Sequence, residues 1–201
     1  MGISLERAYL QPTHMGDFVV AYMESERPSP ETIGMMAASE LAIDQEFVRL
    51  VKEVHGVDVS MPPPGAPPET VGTWVDPDAK TRGRGMAFCA PFIPGAEDAG
   101  RRFSTEAFRT RVDEMTASRR ALGQTVEVVT LHETPMGPIT GIYLEGADPV
   151  EGNRRLAAST EPFDLWFKGE LAKLYPPQID FSKPIPPVRE IFDSESLPAG
   201  G

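Results

Sequence analysis

The chain has 201 residues, 40% of them hydrophobic and 24% charged, with a formal net charge of -11. That length suffices for one or two small domains with a buried core, and the acidic balance repels phosphate backbones and anionic membrane surfaces, so neither nucleic acid nor a membrane is an expected partner. A single cysteine, Cys89, excludes an internal disulfide and a cysteine-cluster metal site, and the first residues lack the pattern of a secretory signal, so a cytoplasmic location is expected.

Residues 5–11 mix apolar and polar side chains as a strand does. Thr13-His14-Met15-Gly16-Asp17 reads as a turn, with a glycine free to take positive φ, and residues 18–24 read as the return strand of a β-hairpin. A helix is predicted over 30–55, where Ile43, Phe47, Leu50, Val51 and Val54 recur at helical spacing. A Pro-rich excursion then leads to a short strand at 71–75, and Thr81-Arg82-Gly83-Arg84-Gly85 reads as a linker.

Residues 86–92 form an apolar strand, with Pro94-Gly95 as its turn. The stretch 97–122 is a long amphipathic helix with Gly123 as its C-cap. A second hairpin follows, with strands at 126–132 and 139–145 around Thr134-Pro135-Met136-Gly137. Helices are predicted near 150–158 and at 163–174, separated by Pro162, which interrupts helical hydrogen bonding. The last predicted strand is 189–192, and 194–201 read as a flexible tail.

These elements occur twice. Residues 5–25 laid over 126–146 without a gap share seven identities in 21 positions, among them Glu6 with Glu127, Tyr22 with Tyr143 and Glu24 with Glu145. One or two would be expected by chance from average composition. Further on, Ala37-Ala38-Ser39 meets Ala157-Ala158-Ser159, Asp44 meets Asp164, Phe47 meets Phe167, and Asp58-Val59-Ser60 meets Asp180-Phe181-Ser182. A correspondence this long is an internal repeat. The second copy, 86–193, reads strand, helix, strand, strand, helix, strand, the split βαβ or ferredoxin-like arrangement. The first, 1–80, begins at Gly2, the counterpart of the cap Gly123, and so lacks an opening strand and helix. The expectation is an N-terminal truncation; the competing reading is a sheet completed in another way, such as by a second subunit in a homodimer.

The fold class expected is therefore α+β, with two ferredoxin-like units, the first incomplete. Two such units in one chain resemble a fused pair of the dimeric α/β-barrel superfamily. The lines carrying the resemblance are the Tyr-x-Glu hairpin strands, the Ala-Ala-Ser helices, Pro162-Phe163-Asp164-Leu165-Trp166-Phe167 and Ala90-Pro91-Phe92-Ile93-Pro94-Gly95. They look like those of uncharacterised bacterial, actinobacterial, proteins of this type. The resemblance implies two facing sheets with helices outside. The superfamily includes cofactor-free monooxygenases, haem-binding enzymes, lactone isomerases and stress-response proteins. Its motifs here are structural, so no catalytic residue is carried across.

In such a barrel the sheet faces turned away from the helices would line a cavity. Alternation puts Val19, Ala21 and Met23 on the helix-packing side of the first return strand, and Phe18, Val20, Tyr22 and Glu24 on the cavity side. The cavity face of the outgoing strands would carry Arg7, Tyr9 and Gln11, matching Val128, Thr130 and His132. The candidate catalytic residues are His132, Glu24 and Tyr22, and the candidate ligand-binding residues are Arg7, Tyr9, Tyr143 and Glu145. Against this stands a structural reading, in which the strand-end carboxylates are solvated or cap turns, because a catalytic residue is seldom needed twice.

His14 falls in a turn, and His55 at a helix end, where a cation suits the helix dipole. No two histidines have ligand spacing, so no metal is expected, and no cofactor. The leading functional expectation is a small-molecule-binding barrel, or a cofactor-independent enzyme of monooxygenase or isomerase type, with its site between the sheets. The alternatives are a non-catalytic assembly protein that uses the barrel as a pairing interface, and a haem-binding barrel with His55 as the only helical axial histidine.

Overall fold

The structure, a computed structural model, describes residues 2–14, 16–61, 66–185 and 188–196. It is an α+β fold with two antiparallel sheets, compatible with ferredoxin-like units. The first hairpin pairs β1 (Ile3–Thr13) with β2 (Gly16–Ser25), and the second pairs β5 (Gln124–Thr134) with β6 (Gly137–Gly146). The two hairpins match in detail. Each ladder shifts register at its start, at Ile3/Leu5 and at Gln124/Val126. Each turn is closed by a threonine hydroxyl that donates to a glycine carbonyl at 2.7 Å, Thr13 to Gly16 and Thr134 to Gly137. Met15 of the first turn lies outside the described residues.

The predicted helix over 30–55 is two helices, α1 (Ser29–Ala37) and α2 (Ala42–His55). No proline causes the break. The Ser39 hydroxyl accepts from the Leu41 amide and turns the chain, as the Ser159 hydroxyl does from Glu161 between α5 (Pro149–Ala158) and α6 (Pro162–Leu171). The break thus belongs to the Ala-Ala-Ser sequence, and Pro162 adds to it only in the second copy. The helix expected over 97–122 is likewise interrupted. It runs as α3 (Glu97–Thr105), a π-helical turn at Glu106–Thr110, and α4 (Val112–Ala121). Gly123 follows with φ 76°, and its amide bonds to the Arg120 carbonyl; Gly2 holds φ 69° at the corresponding place before β1.

The last strand of each copy lies in the sheet of the other. Strand β3 (Glu69–Val75) pairs with β5, giving the order β3-β5-β6-β4 with β4 (Arg84–Pro91) at the edge. Strand β7 (Arg189–Asp193) pairs with β1, giving β2-β1-β7. A split βαβ unit would keep its last strand beside its first. The connections before β3 and β7 have 13 and 17 residues. A chain of that length spans at most about 40 Å or more when extended, so either strand can reach the far sheet. The Pro62, Pro63, Pro64, Pro186 and Pro187 tracts within them lie outside the described residues.

The outer face of the four-stranded sheet is covered by helices. Trp74, Ala107, Phe108, Met115, Phe163 and Phe167 form one core cluster there, and Phe92, Leu131, Leu174 and Tyr175 a second. The inner face meets the three-stranded sheet through Tyr9, Ala87 and Tyr143. After β7, Ser194–Ser196 make a 3-10 turn, and residues 197–201 lie outside the described residues. Among the described residues no helix is long and apolar enough to cross a membrane.

Candidate functional site

Alternation along β1 turns Arg7, Tyr9 and Gln11 toward the other sheet, and all three are buried. The Arg7 guanidinium donates from Nη1 to the Tyr143 hydroxyl (2.6 Å) and to Glu145 (3.2 Å), from Nε to Asp193 (3.1 Å), and from Nη2 to Glu195 (2.7 Å) and the Gly83 carbonyl (3.1 Å). Tyr143 donates to Glu145 at 2.9 Å, and its ring stacks on Tyr22 with centroids 3.6 Å apart. The Tyr22 hydroxyl donates to Glu24 at 3.0 Å, and Arg82 pairs with both Glu24 and Glu145. A Cβ on Gly85 would stand 2.2 Å from the Tyr9 hydroxyl, so the sheets approach this closely only because that position is glycine.

Six of the sequence-predicted residues therefore converge: Arg7, Tyr9, Tyr22, Glu24, Tyr143 and Glu145. Five of them are linked by hydrogen bonds, ion pairs or ring stacking, while the Tyr9 hydroxyl is buried without a hydrogen-bond partner among the described residues. Burial pushes the hydroxyls of Tyr9, Tyr22 and Tyr143 well above the ordinary tyrosine range. Burial also raises Glu24, but hydrogen bonds from Arg82 and Tyr22 outweigh it and hold the carboxyl below its usual value. The seventh, His132, stands apart. Its Nε2 lies 2.8 Å from the Thr130 hydroxyl, and burial lowers its pKa, favouring the neutral ring. Cys89 bonds through its amide to the Gln11 side chain, and burial raises its thiol. His14 is exposed in the first turn, and His55 is exposed at the end of α2. Among the described residues no group of three or more His, Cys, Asp or Glu side chains is placed to hold a metal ion.

A large, partly open cavity runs over the opposite face of the same sheet and around its edge to Gln11 and Phe18. It measures about 950 Å³, with Val129, Leu131, Ile142 and Leu144 as its floor and Phe103 and Leu171 among its walls. Its lining continues past the end of β4 to the tips of both hairpins at His14 and Met136.

His14, Arg101, Asp180 and Lys183 are among the charged or titratable members of the lining, and a few further polar groups are buried within it. Glu127 is paired with the fully buried Arg119 at 2.5 Å, and Arg119 in turn lies over the Phe167 ring. The Thr140 and Tyr175 hydroxyls are 2.8 Å apart, and burial pushes Tyr175 up to about 12. Gln124, 2% exposed at the start of β5, lines the cavity, and its Oε1 has no hydrogen-bond partner. Sequence reasoning passed over these residues. Their signal was present, since Glu127 and Thr140 interrupt the apolar, helix-facing sides of β5 and β6. Comparison of the chain with family models, curated proteins and solved structures yields no match.

Proposed function

We propose that this chain binds a small apolar molecule carrying one hydrogen-bond donor, in the cavity between the four-stranded sheet and its helices. The observation that carries the reading is that cavity, about 950 Å³ of mainly apolar lining with a buried, unpartnered acceptor at Gln124 Oε1. Ligand pockets commonly hold 300–1,000 Å³ and place a few polar groups among apolar walls. Walls of this kind favour an apolar ligand over water.

This reading moves the site from the inner face of β5 and β6 to the outer one, because the inner face is occupied by side chains paired with one another. Binding is proposed over turnover. Of the two carboxylates in the wall, Glu127 is held by Arg119 and Asp180 by Ser182 and Lys183, and a tyrosine pushed up to about 12 is a poor base at neutral pH. Two sheets meeting face to face support the finer reading of a dimeric α/β-barrel arrangement within one chain. The protein would need no cofactor for binding of this kind.

The test uses n-decanol, an apolar chain with one donor, followed by titration calorimetry. Saturable binding is expected. Leu144→Trp, which fills the floor, should abolish it. Gln124→Leu should weaken it by about fivefold, the loss of one hydrogen bond worth ~1 kcal/mol. Decanol binding that survives Leu144→Trp unchanged would sink the proposal.

A further inference from the structure

The two copies differ most in what covers them. Phe163, Phe167 and Leu174 are 6%, 4% and 4% exposed, packed under the helices that follow β4. Their counterparts in the first copy, Ile43, Phe47 and Val54, are 73%, 42% and 70% exposed, and Leu41 and Leu50 beside them are 63% and 42% exposed. Asp164 accepts from Ser118 on α4 and from Ser159. Its counterpart Asp44 is buried with Oδ2 unpartnered. The edge of β6 is paired along its length by β4, whereas β2 is the terminal strand of its sheet among the described residues. That edge, GDFVVAYMES, carries neither lysine nor proline, the usual protection of a free edge.

We propose that a second copy of this chain covers this face, pairing β2 with β2 antiparallel and laying α2 against α2 about a two-fold axis. The second copy supplies the same succession that closes the other half of the molecule. There, an antiparallel strand, β4, pairs with β6, and the helices after it pack on α6. In the dimer, antiparallel β2 of the second copy pairs with β2, and the helices after it pack on α2. That axis would lay the apolar stripe Ile43, Phe47, Leu50, Val54 on its own copy, the same patch on both subunits, as an isologous interface requires.

The exposed side chains supply about two thirds of the apolar area a standard interface needs, and β2 must supply the rest. At ~100 Å² of apolar surface for a side chain of this size, these residues with Leu41 and Val19 leave on the order of 300 Å² per protomer. The backbone edge and outer face of β2 add to it. A standard interface takes about 800 Å² per partner, a little over half of it apolar.

Light scattering after size exclusion at ~50 µM protein, where a specific dimer of ordinary affinity is formed, is expected to give twice the 21.9 kDa of one chain. Phe47→Glu and Val19→Lys alter side chains already exposed in the single chain, so both variants should keep the far-ultraviolet circular dichroism of the parent. Each should raise the dimer dissociation constant at least ~30-fold, the effect of a central interface residue. Hydrogen exchange should show those β2 amides that do not bond to β1 protected in the parent and unprotected in Phe47→Glu. A monomer at that concentration, a dimer indifferent to both substitutions, or isolation in stoichiometric complex with a different polypeptide would each overturn the assignment. The cavity reaches Phe18 on β2 but no residue of α2, so decanol binding that persists in Phe47→Glu while the dimer is lost shows that the two fail independently.

Discussion

Arg7 has five N–H donors, and the structure gives it five hydrogen bonds, to Tyr143, Glu145, Asp193, Glu195 and the Gly83 carbonyl. A buried cation is tolerated only with partners of this kind, and removing it strands Glu145 at 2% exposure. Arg7→Met is expected to cost about 3–5 kcal/mol in urea unfolding, and Arg7→Lys to recover only part of it, because an ammonium cannot reproduce the fork.

Glu24 gives a pH dependence. Its folded pKa lies below its ordinary value of 4.5, because Arg82 and Tyr22 outweigh burial. The unfolded chain therefore takes up the proton first. The stability advantage of the parent over Glu24→Gln should be full above that ordinary value and shrink as pH falls through the lower folded value. An advantage that grows toward acid would refute the assignment. These positions were legible in the sequence because alternation assigns faces. Alternation does not say how far along the face a residue sits, and so His132 was grouped with a cluster it does not join.

At the scale of elements, the serine turns at Ser39 and Ser159 set the helix breaks, and Asp164 shows how a break is held. It accepts from Ser159 at the turn and from Ser118 on α4, tying the start of α6 to the covering helix. Asp164→Ala should cost about 1–3 kcal/mol, since two hydroxyls lose their acceptor in a buried place. Asp44→Ala, whose Oδ2 has no partner, should cost clearly less in the monomeric chain. Paired chemical denaturation of the two variants checks the difference. The single helix over 30–55 was misjudged because apolar periodicity marks a face and does not register a two-residue turn within it.

Across the whole molecule, the exchanged strands make each sheet depend on the other copy. Strand β7 brings Asp193 to Arg7, and β3 brings Trp74 into the core beneath Phe108 and Phe167. Deleting residues 189–201 should therefore lower the thermal midpoint of the whole chain in one transition, since both sheets share the loss. Two separate transitions, with only one half affected, would show that the sheets fold independently. The length of the connections allowed the exchange, but a long connection fits a strand returning to its own sheet equally well. The cavity has the same origin, because its floor and walls come from elements that meet only after the helices dock.

The sequence by itself determined the hairpins, the helical stretches without their breaks, the faces of the strands and the similarity between residues 5–25 and 126–146. Each of these is written in a local period or in a glycine placed where the chain needs positive φ. Only the tertiary structure decided that the polar inner faces close on one another, that the open volume lies under the helices, and that α2 is left bare. These follow from which surfaces come into contact, and the local patterns of Phe47 and Phe167 are alike although one is exposed and the other buried.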